Sequence, residues 1–421
     1  MNIKAIIFAS LIGITLSASL TFTEEAKDPK AKAKNQGLSS AEKREAGKLI
    51  KEYFSQNDES EKQKLFKELA KYDDRVSKKD LASFAKTIWP LIKKDLKYDG
   101  KNNGKCSHPD YPGEYIISVP TPAKKGTKTG LCIVLHGGGE DAGDGLKAQK
   151  LMGTPNPNLI QVYPTVIKKE NAAWNTEREE RYVLEIINDM KRMFNIDTNQ
   201  VYLLGYSMGG YGTWSIGTAH ADLFAAISPM EGAVNNYSPG TIANLKNTPI
   251  WIFHGAKDMR VPPDADRKAA EILEELKKKY GPYDYVYDED KNTGHTNPPN
   301  LPNIWKWMFA RKRDPLPKFV IWEPSRSYKN TFYWLKIDSP YSGTRIEAKI
   351  EGNKISLQTH IPGLTVFLNE KMVNLDKPVV LEVEGKEKFN GLAGYSLSTL
   401  LETIQDKNDP EMYFTSRIEL E

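Results

Sequence analysis

Gly205-Tyr206-Ser207-Met208-Gly209 is the stretch of this chain best suited to covalent chemistry. The apolar run 201–204 precedes it, and a helix-compatible run with Tyr211, Trp214 and Ile216 follows. A glycine-x-serine-x-glycine turn between strand and helix strains the serine backbone and stands its hydroxyl at the carboxyl edge of a sheet. The helix N-terminus beneath it favours negative charge. A second glycine cluster, His136-Gly137-Gly138-Gly139, ends the apolar run 131–135. Backbone N–H groups of such a loop can face an oxyanion. Met208 and Gly138 are the expected N–H donors, with Gly137 close behind. His136 is expected to shape the loop rather than to act as a base.

A serine hydroxyl becomes a competent nucleophile when a base takes its proton and an acid orients the base. In sheets carrying this turn the chain order is serine, acid, histidine. Among the six histidines, His295 and His360 follow Ser207 with an acidic strand end between. His295, in a polar loop ahead of a helix near 304–309, is the expected base, and His360, in the C-terminal stretch, is its rival. His254 ends the run 250–253 and is expected to support the site by hydrogen bonding. His108 and His220 read as surface or structural residues. Asp258 lies in the loop beyond 250–253 and is the expected acid, because sites of open α/β sheets lie beyond the carboxyl ends of strands. Asp264 and Asp266 occupy the first turn of the next helix and read as its caps. Asp290 is near His295 in sequence, but loop neighbours need not face each other.

These groups need a scaffold. The runs 116–119, 131–135, 159–163, 201–204, 224–228 and 250–253 alternate with helical patterns at 181–194, from Ser207 and near 265–280. Apolar strands alternating with helices predict a mostly parallel sheet covered on both faces. Upstream, 39–98 carries about three short amphipathic helices, with Ser39 and Ser40 placed to cap the first. Sixty residues bury little alone, so these helices are expected to lie against the next domain. Beyond 316, the runs 331–337, 345–350, 354–359, 364–368 and 379–383 read as short antiparallel strands. A helix near 396–404 and a strand near 412–420 close the chain. Trp322, Tyr328, Tyr333 and Trp334 make this part aromatic. They predict either an exposed row that stacks on sugars or, more simply, a filled core.

The first residues read as an export signal. Lys4 precedes the uncharged apolar run 5–16, and Ser17, Ala18 and Ser19 offer a cleavage site. The run is shorter than the roughly 20 residues a membrane span needs. The expected division is a signal at 1–19, a linker at 20–38, a helical extension at 39–109, an α/β catalytic domain at 110–315 and a β-rich accessory domain at 316–421. The protein is expected to be secreted or periplasmic, with no membrane insertion after cleavage. A balance of 59 Lys+Arg against 55 Asp+Glu argues against a broad basic face, so no nucleic-acid partner is expected. Two cysteines, Cys106 and Cys132, exclude a disulfide scaffold and a four-cysteine zinc site, and both read as free thiols.

Several segments together resemble the α/β-hydrolase esterases. They are Leu135-His136-Gly137-Gly138, the elbow with Met208-Gly209-Gly210, His254-Gly255-Ala256-Lys257-Asp258 with Val261-Pro262, and Gly294-His295. Trp174 and Asn195-Ile196-Asp197 fit the same pattern. The likeness covers about 110–312 and is closest to exported feruloyl-esterase-like, acetyl-xylan-esterase-like and polyhydroxybutyrate-depolymerase-like enzymes. It implies an α/β-hydrolase fold, a triad of Ser207, Asp258 and His295, no metal and no organic cofactor. It also implies a small-molecule or polysaccharide ester as substrate. Prolyl oligopeptidases share a similar Gly-x-Ser-x-Gly-Gly and Asp-x-x-Val-Pro pattern, so a serine peptidase is the alternative. The N-terminal stretch is too short for their propeller, whose blades take about 40 residues each. A carbohydrate-binding protein with an inactive hydrolase domain is the second alternative.

Overall fold

The computed structural model describes residues 36–420, apart from 74, 93, 94, 139–142, 155, 157, 171, 235–238, 341, 342 and 360. The expected export signal, most of the linker, Gly139 and His360 lie outside the described residues.

The described chain opens with helices α1 (Ser40–Ser55), α2 (Glu59–Ala70) and α3 (Lys78–Ile88). Ser39 and Glu42 form a reciprocal capping box on α1, and Ser77 and Asp80 do the same on α3. The central part then runs β1 (Asn103–Lys105), β2 (Glu114–Ser118), α4 (Thr121–Lys124), β3 (Thr129–Leu135), α5 (Gly145–Met152), β4 (Ile160–Pro164) and α6 (Glu177–Met193). It continues with β5 (Ile196–Tyr206), α7 (Met208–Ala219), β6 (Ala226–Met230), β7 (Ile250–Gly255), α8 (Asp264–Tyr280), β8 (Tyr285–Asp290) and α9 (Leu301–Phe309).

These eight strands form one sheet in the order β1-β2-β4-β3-β5-β6-β7-β8. The β1–β2 and β2–β4 pairings are antiparallel, and the rest are parallel. Strand side chains alternate between faces. Leu131, Ile133 and Leu135 join Val183 and Ile186 of α6, Trp214 of α7 and Leu273 of α8. Cys132 and Val134 face the other way, toward Ala148 and Met152 of α5 and Ile304 and Met308 of α9. The sheet is therefore covered on both faces, as its apolar strands require. Both cysteines are buried and free. The strand order reverses around β3, which has β4 on one side and β5 on the other. The carboxyl ends of β3 and β5 thus frame the crevice where open sheets carry their sites.

The C-terminal part comprises β9 (Phe319–Trp322), β10 (Thr331–Phe332), β11 (Leu335–Ile337), β12 (Ile346–Glu351), β13 (Lys354–Gln358), β14 (Leu364–Leu368), β15 (Val379–Val383), β16 (Lys386–Gly391), α10 (Leu397–Lys407) and β17 (Ser416–Leu420). Two sheets result, β16-β15-β13-β12-β9 and β10-β11-β14-β17. One pairing departs from the antiparallel expectation. β13 and β15 run parallel, because the chain between them crosses to the other sheet to form β14 and then returns. The run 331–337 is two strands, broken at Tyr333, whose φ is 49°. Trp322, Tyr333 and Trp334 are at most 1% exposed, so these rings fill the core and form no stacking row. The Tyr328 ring is covered by the Arg181 guanidinium, 3.9 Å from its centroid.

The apolar faces of α1–α3 close on α10. Ile50, Leu81 and Phe84 share a core with Leu397, Leu400 and Leu401. This corrects the expectation that they lie on the neighbouring domain, since their partner comes from the far end of the chain. No helix among the described residues is long and apolar enough to cross a membrane.

Candidate active site

Ser207 sits between β5 and α7 with φ 56° and ψ −118°, a left-handed backbone that a non-glycine residue adopts only under strain. Its N–H donates to the Met230 carbonyl at 2.8 Å, and its carbonyl accepts from Tyr211 at 3.1 Å, which starts α7 at once. The flanking glycines are sterically required. A Cβ on Gly205 would lie 2.3 Å from the Gly209 carbonyl oxygen, and one on Gly209 would lie 2.3 Å from that of Leu135. The elbow is thereby pressed against the end of β3. A Cβ on Gly138 would come within 3.3 Å of Met208 Sδ, so the loop after β3 lies over the first residue of α7. N–H groups in the first turn of a helix lack intrahelical acceptors.

His136 holds that loop. Its Nδ1 donates to the Gly137 carbonyl at 2.8 Å, its Nε2 accepts from the Val166 N–H at 3.1 Å, and its carbonyl accepts from Trp174 Nε1 at 3.0 Å. Burial lowers its pKa, which keeps the ring neutral. Both nitrogens are occupied by backbone, away from the serine.

The structure brings Ser207, His295 and Asp258 into one line. His295 Nε2 is 2.9 Å from Ser207 Oγ, and Nδ1 is 2.6 Å from Asp258 Oδ2. Asp258 Oδ1 accepts from the N–H groups of Arg260 and Val261 at 2.8 and 2.9 Å. The Tyr206 ring packs against His295 with centroids 5.2 Å apart. Burial opposes the charge of Asp258, but the neighbouring Glu231 carboxyl group and the hydrogen bonds from the Val261 N–H and His295 outweigh it and hold the pKa down to about 2. Asp290 accepts from the N–H groups of Asn292 and Thr293 and shapes the turn that leads to His295.

Two acids expected to cap a helix do not. No side chain caps α8. Asp264 is exposed and pairs with Arg267 at 2.9 Å. Asp266 is fully buried, accepts from Trp214 Nε1 at 2.9 Å and meets His254 Nδ1 at 2.8 Å. It lies on the inward face of α8, so its carboxylate serves the core rather than the helix end. His254 Nε2 donates to the Val261 carbonyl at 2.8 Å and lies 3.5 Å from Asp258. Burial works against a charge on His254, but the bond and charge of Asp266, with the Val261 carbonyl and Glu231, raise its pKa to about 9. His220 pairs with the buried Glu180 far from this line, and His108 lies at the surface beside Asp110.

Sequence reasoning missed Glu231. It follows β6 directly, is fully buried and has a φ of 50°. Oε1 accepts from the Gly255 N–H at 3.2 Å, while Oε2 lies 3.6 Å from His254 Nε2 and 4.0 Å from His295 Nδ1. Its signal was positional: an acid at the carboxyl end of a strand, as Asp258 is beyond β7. Oxygens of Glu231 and Asp258 and a nitrogen of His254 lie within 4.8 Å of one another, close enough to hold a cation. The Val261 carbonyl and Asp266 already engage both nitrogens of His254, which leaves no lone pair for a metal. Beside the loop after β3 lies a cavity of about 220 Å³ lined by Leu135, Gly138, Ala148, Leu151, Met152 and Tyr206.

No family model matches the chain. Over 89 residues it is 35% identical to a bifunctional acetylxylan esterase/xylanase of Neocallimastix patriciarum, a stretch that covers 21% of this chain and 13% of that protein. The crystal structure of a thermostable esterase is similar at 25% identity, over 50% of this chain and 62% of that one, with a TM-score of 0.42. The acetyl xylan esterase from Aspergillus awamori is similar at 14% identity, over 49% of this chain and 98% of that one, with a TM-score of 0.39. What the sequence resemblance implied for the architecture holds in the structure: residues 103–309 have the α/β-hydrolase fold.

Proposed function

We propose that this chain is a secreted serine esterase that removes acetyl or hydroxycinnamoyl (feruloyl) groups from polysaccharide. The observation that carries the reading is the line from Ser207 Oγ through His295 to Asp258, at 2.9 and 2.6 Å. In the reaction, His295 Nε2 takes the proton of Ser207 as Oγ attacks the ester carbonyl. The oxyanion meets the N–H groups of Met208 and Gly138. His295 then gives its proton to the departing alcohol oxygen, which leaves the acyl group on Ser207. Water attacks this acyl-enzyme, with its proton passing to His295, and the acid is released as Ser207 recovers its own. Asp258 stays ionised and stabilises the imidazolium in both halves.

The cavity of about 220 Å³ beside the loop after β3 is lined by Gly138 and by Tyr206, the chain neighbour of Ser207, and offers a place for the acyl group. The 35% identity over 89 residues of a bifunctional acetylxylan esterase/xylanase supports a polysaccharide ester as substrate. Export follows from the reading of residues 1–19. The test is turnover of 4-nitrophenyl acetate, methyl ferulate and acetylated xylan by the purified protein, against matched anilides. Faster cleavage of the anilides would turn the reading toward a peptidase. A protein that neither turns over esters nor reacts with a fluorophosphonate would be a binding protein.

A further inference from the structure

Glu231 stands where a carboxylate should not be stable. It is fully buried beside Asp258: Glu231 Oε2 and Asp258 Oδ2 lie 3.6 and 3.5 Å from the same His254 Nε2, and 4.0 and 2.6 Å from the same His295 Nδ1. Two ionised carboxylates so placed repel and can only accept, so a proton on one of them relieves the contact. Oε1 already accepts from Gly255, while Oε2 receives no hydrogen bond and points toward the two histidines. Oε2 is therefore the oxygen available to carry a proton. The backbone bears a cost for this placement. Glu231 shares its left-handed φ with Ser207, and its N–H is tied to the Phe253 carbonyl at 3.0 Å.

We propose that Glu231 is a positioning residue for this centre: as a carboxylic acid it donates from Oε2 to Asp258 and fixes that carboxylate against His295 Nδ1. The proposal rests on the serine-hydrolase reading. The groups around Glu231 are His254 from β7, Asp258 beyond it, His295 beyond β8 and Tyr206 at the end of β5. Asp266 from α8 acts on it through His254. Among the described residues, no Lys or Arg side chain is bonded to Glu231; the charge that faces it is the His254 imidazolium, 3.6 Å from Oε2, whose pull toward ionisation is outweighed by burial and by Asp258. Burial and the neighbouring Asp258 push its pKa up to about 8. Loss of the proton above that pH would set two anions side by side, withdraw the donor from Asp258 and loosen the His295 contact.

The test compares Glu231→Gln and Glu231→Ala with the wild type, by kcat and KM on 4-nitrophenyl acetate from pH 5 to 10, by fluorophosphonate labelling of Ser207 and by thermal melting. Gln keeps an N–H donor but does not titrate. It is expected to keep kcat within about threefold at pH 7 and to lose the fall in activity near pH 8. Ala is expected to lower kcat by about tenfold, the scale of one lost hydrogen bond, with KM nearly unchanged. Melting adds a readout independent of turnover. A folded pKa above the unfolded value means stability is fully present below about 4.5 and is lost as pH rises toward about 8. The wild type should therefore lose ground to Glu231→Gln across that window and hold a constant offset above it. A Gln variant that keeps the alkaline fall and shows no such drift overturns the proposal. A wild type inert to both ester and phosphonate overturns the serine-hydrolase reading instead, and the melting comparison still decides the protonation of Glu231.

Discussion

Two clusters of buried acids lie in this molecule, and they are neutralised by different means. Around Ser207, the carboxyl groups of Glu231, Asp258 and Asp266 face His254 and His295. At the seam between the main sheet and the C-terminal sheets, Asp222, Asp409 and Glu180 face Lys329, Arg313 and Arg326, at 2.8, 2.5 and 2.9 Å. At the seam each of these acids has a lysine or arginine partner, with His220 as a second partner of Glu180. Around Ser207 the partners are histidines, which can exchange protons with what they touch. The seam thus reads as attachment and the other cluster as chemistry, although both are buried and acid-rich.

Substitution should separate the two sharply. Ser207→Ala should cost activity by about 10⁴-fold or more with melting little changed, and Asp258→Asn by a similar factor with some loss of stability, since its buried carboxylate is held below the ordinary pKa. Ester turnover and calorimetry on the same samples check this. An Asp258→Asn protein that keeps most of its activity would make Glu231 the working acid, because its Oε2 already lies 4.0 Å from His295. At the seam the effects should reverse. Asp409→Ala strands Arg313, whose side chain is 1% exposed, and should cost about 3–5 kcal/mol in denaturant unfolding with kcat unchanged. A chain ending near Asp314 removes Lys329 and Lys407 from Asp222, and Arg326 and Tyr328 from Glu180. It should fail to fold, an outcome that makes the C-terminal part structural; a soluble truncated chain that still cleaves a small ester would favour a delivery module instead.

The acid limb sharpens the same contrast. Burial opposes the charge of Glu180, but the His220 N–H and the Arg326 guanidinium outweigh it and hold the pKa down to about 2. A folded pKa below the unfolded value means its contribution is present above about 4.5 and is lost as pH falls toward 2. Melting between pH 6 and 2.5 should show less acid dependence in Arg326→Gln than in the wild type, by a part of the roughly 2–3 kcal/mol that the whole shift represents, since the His220 bond remains. The seam therefore weakens in acid, whereas Glu231 weakens the fold as pH rises.

Legibility followed locality. The elbow and the loop after β3 are short patterns whose glycines are required by contacts with neighbouring backbone, so they stand out in the sequence. Asp258 and His295 were reachable through chain order and strand ends. Glu231 was not, because its meaning depends on β6 lying beside β7 in the sheet. β8, with the sequence Tyr285-Val286-Tyr287-Asp288-Glu289-Asp290, escaped notice because it is a half-buried edge strand without an apolar run. β16 escaped for a related reason, since its Lys386-Glu387-Lys388 start is the charge that protects an exposed edge. The partner of α1–α3 lies some 300 residues away, where no local pattern points.

Asp264 and Asp266 carry the comparison down to two residues in one helical turn. Both looked like caps of α8, and both are Asp at the start of an amphipathic helix. Asp266 turns inward and joins Trp214 to His254, so Asp266→Ala removes acceptors from two buried donors. That should lower stability by about 1–3 kcal/mol for each donor left unsatisfied and should also lower kcat, because His254 stands 3.5 Å from Asp258. Asp264 faces solvent and pairs with Arg267, which is also bonded to Glu289. An exposed pair of this kind contributes little, and Arg267 keeps its other partner when Asp264 is lost. A carboxylate in the first turn still complements the helix dipole by a few tenths of a kcal/mol. Asp264→Ala should therefore move unfolding by at most about 0.5 kcal/mol and leave turnover unchanged. Equal losses from the two alanine variants would mean that both aspartates act on the helix end after all, and that His254 is held by something other than Asp266.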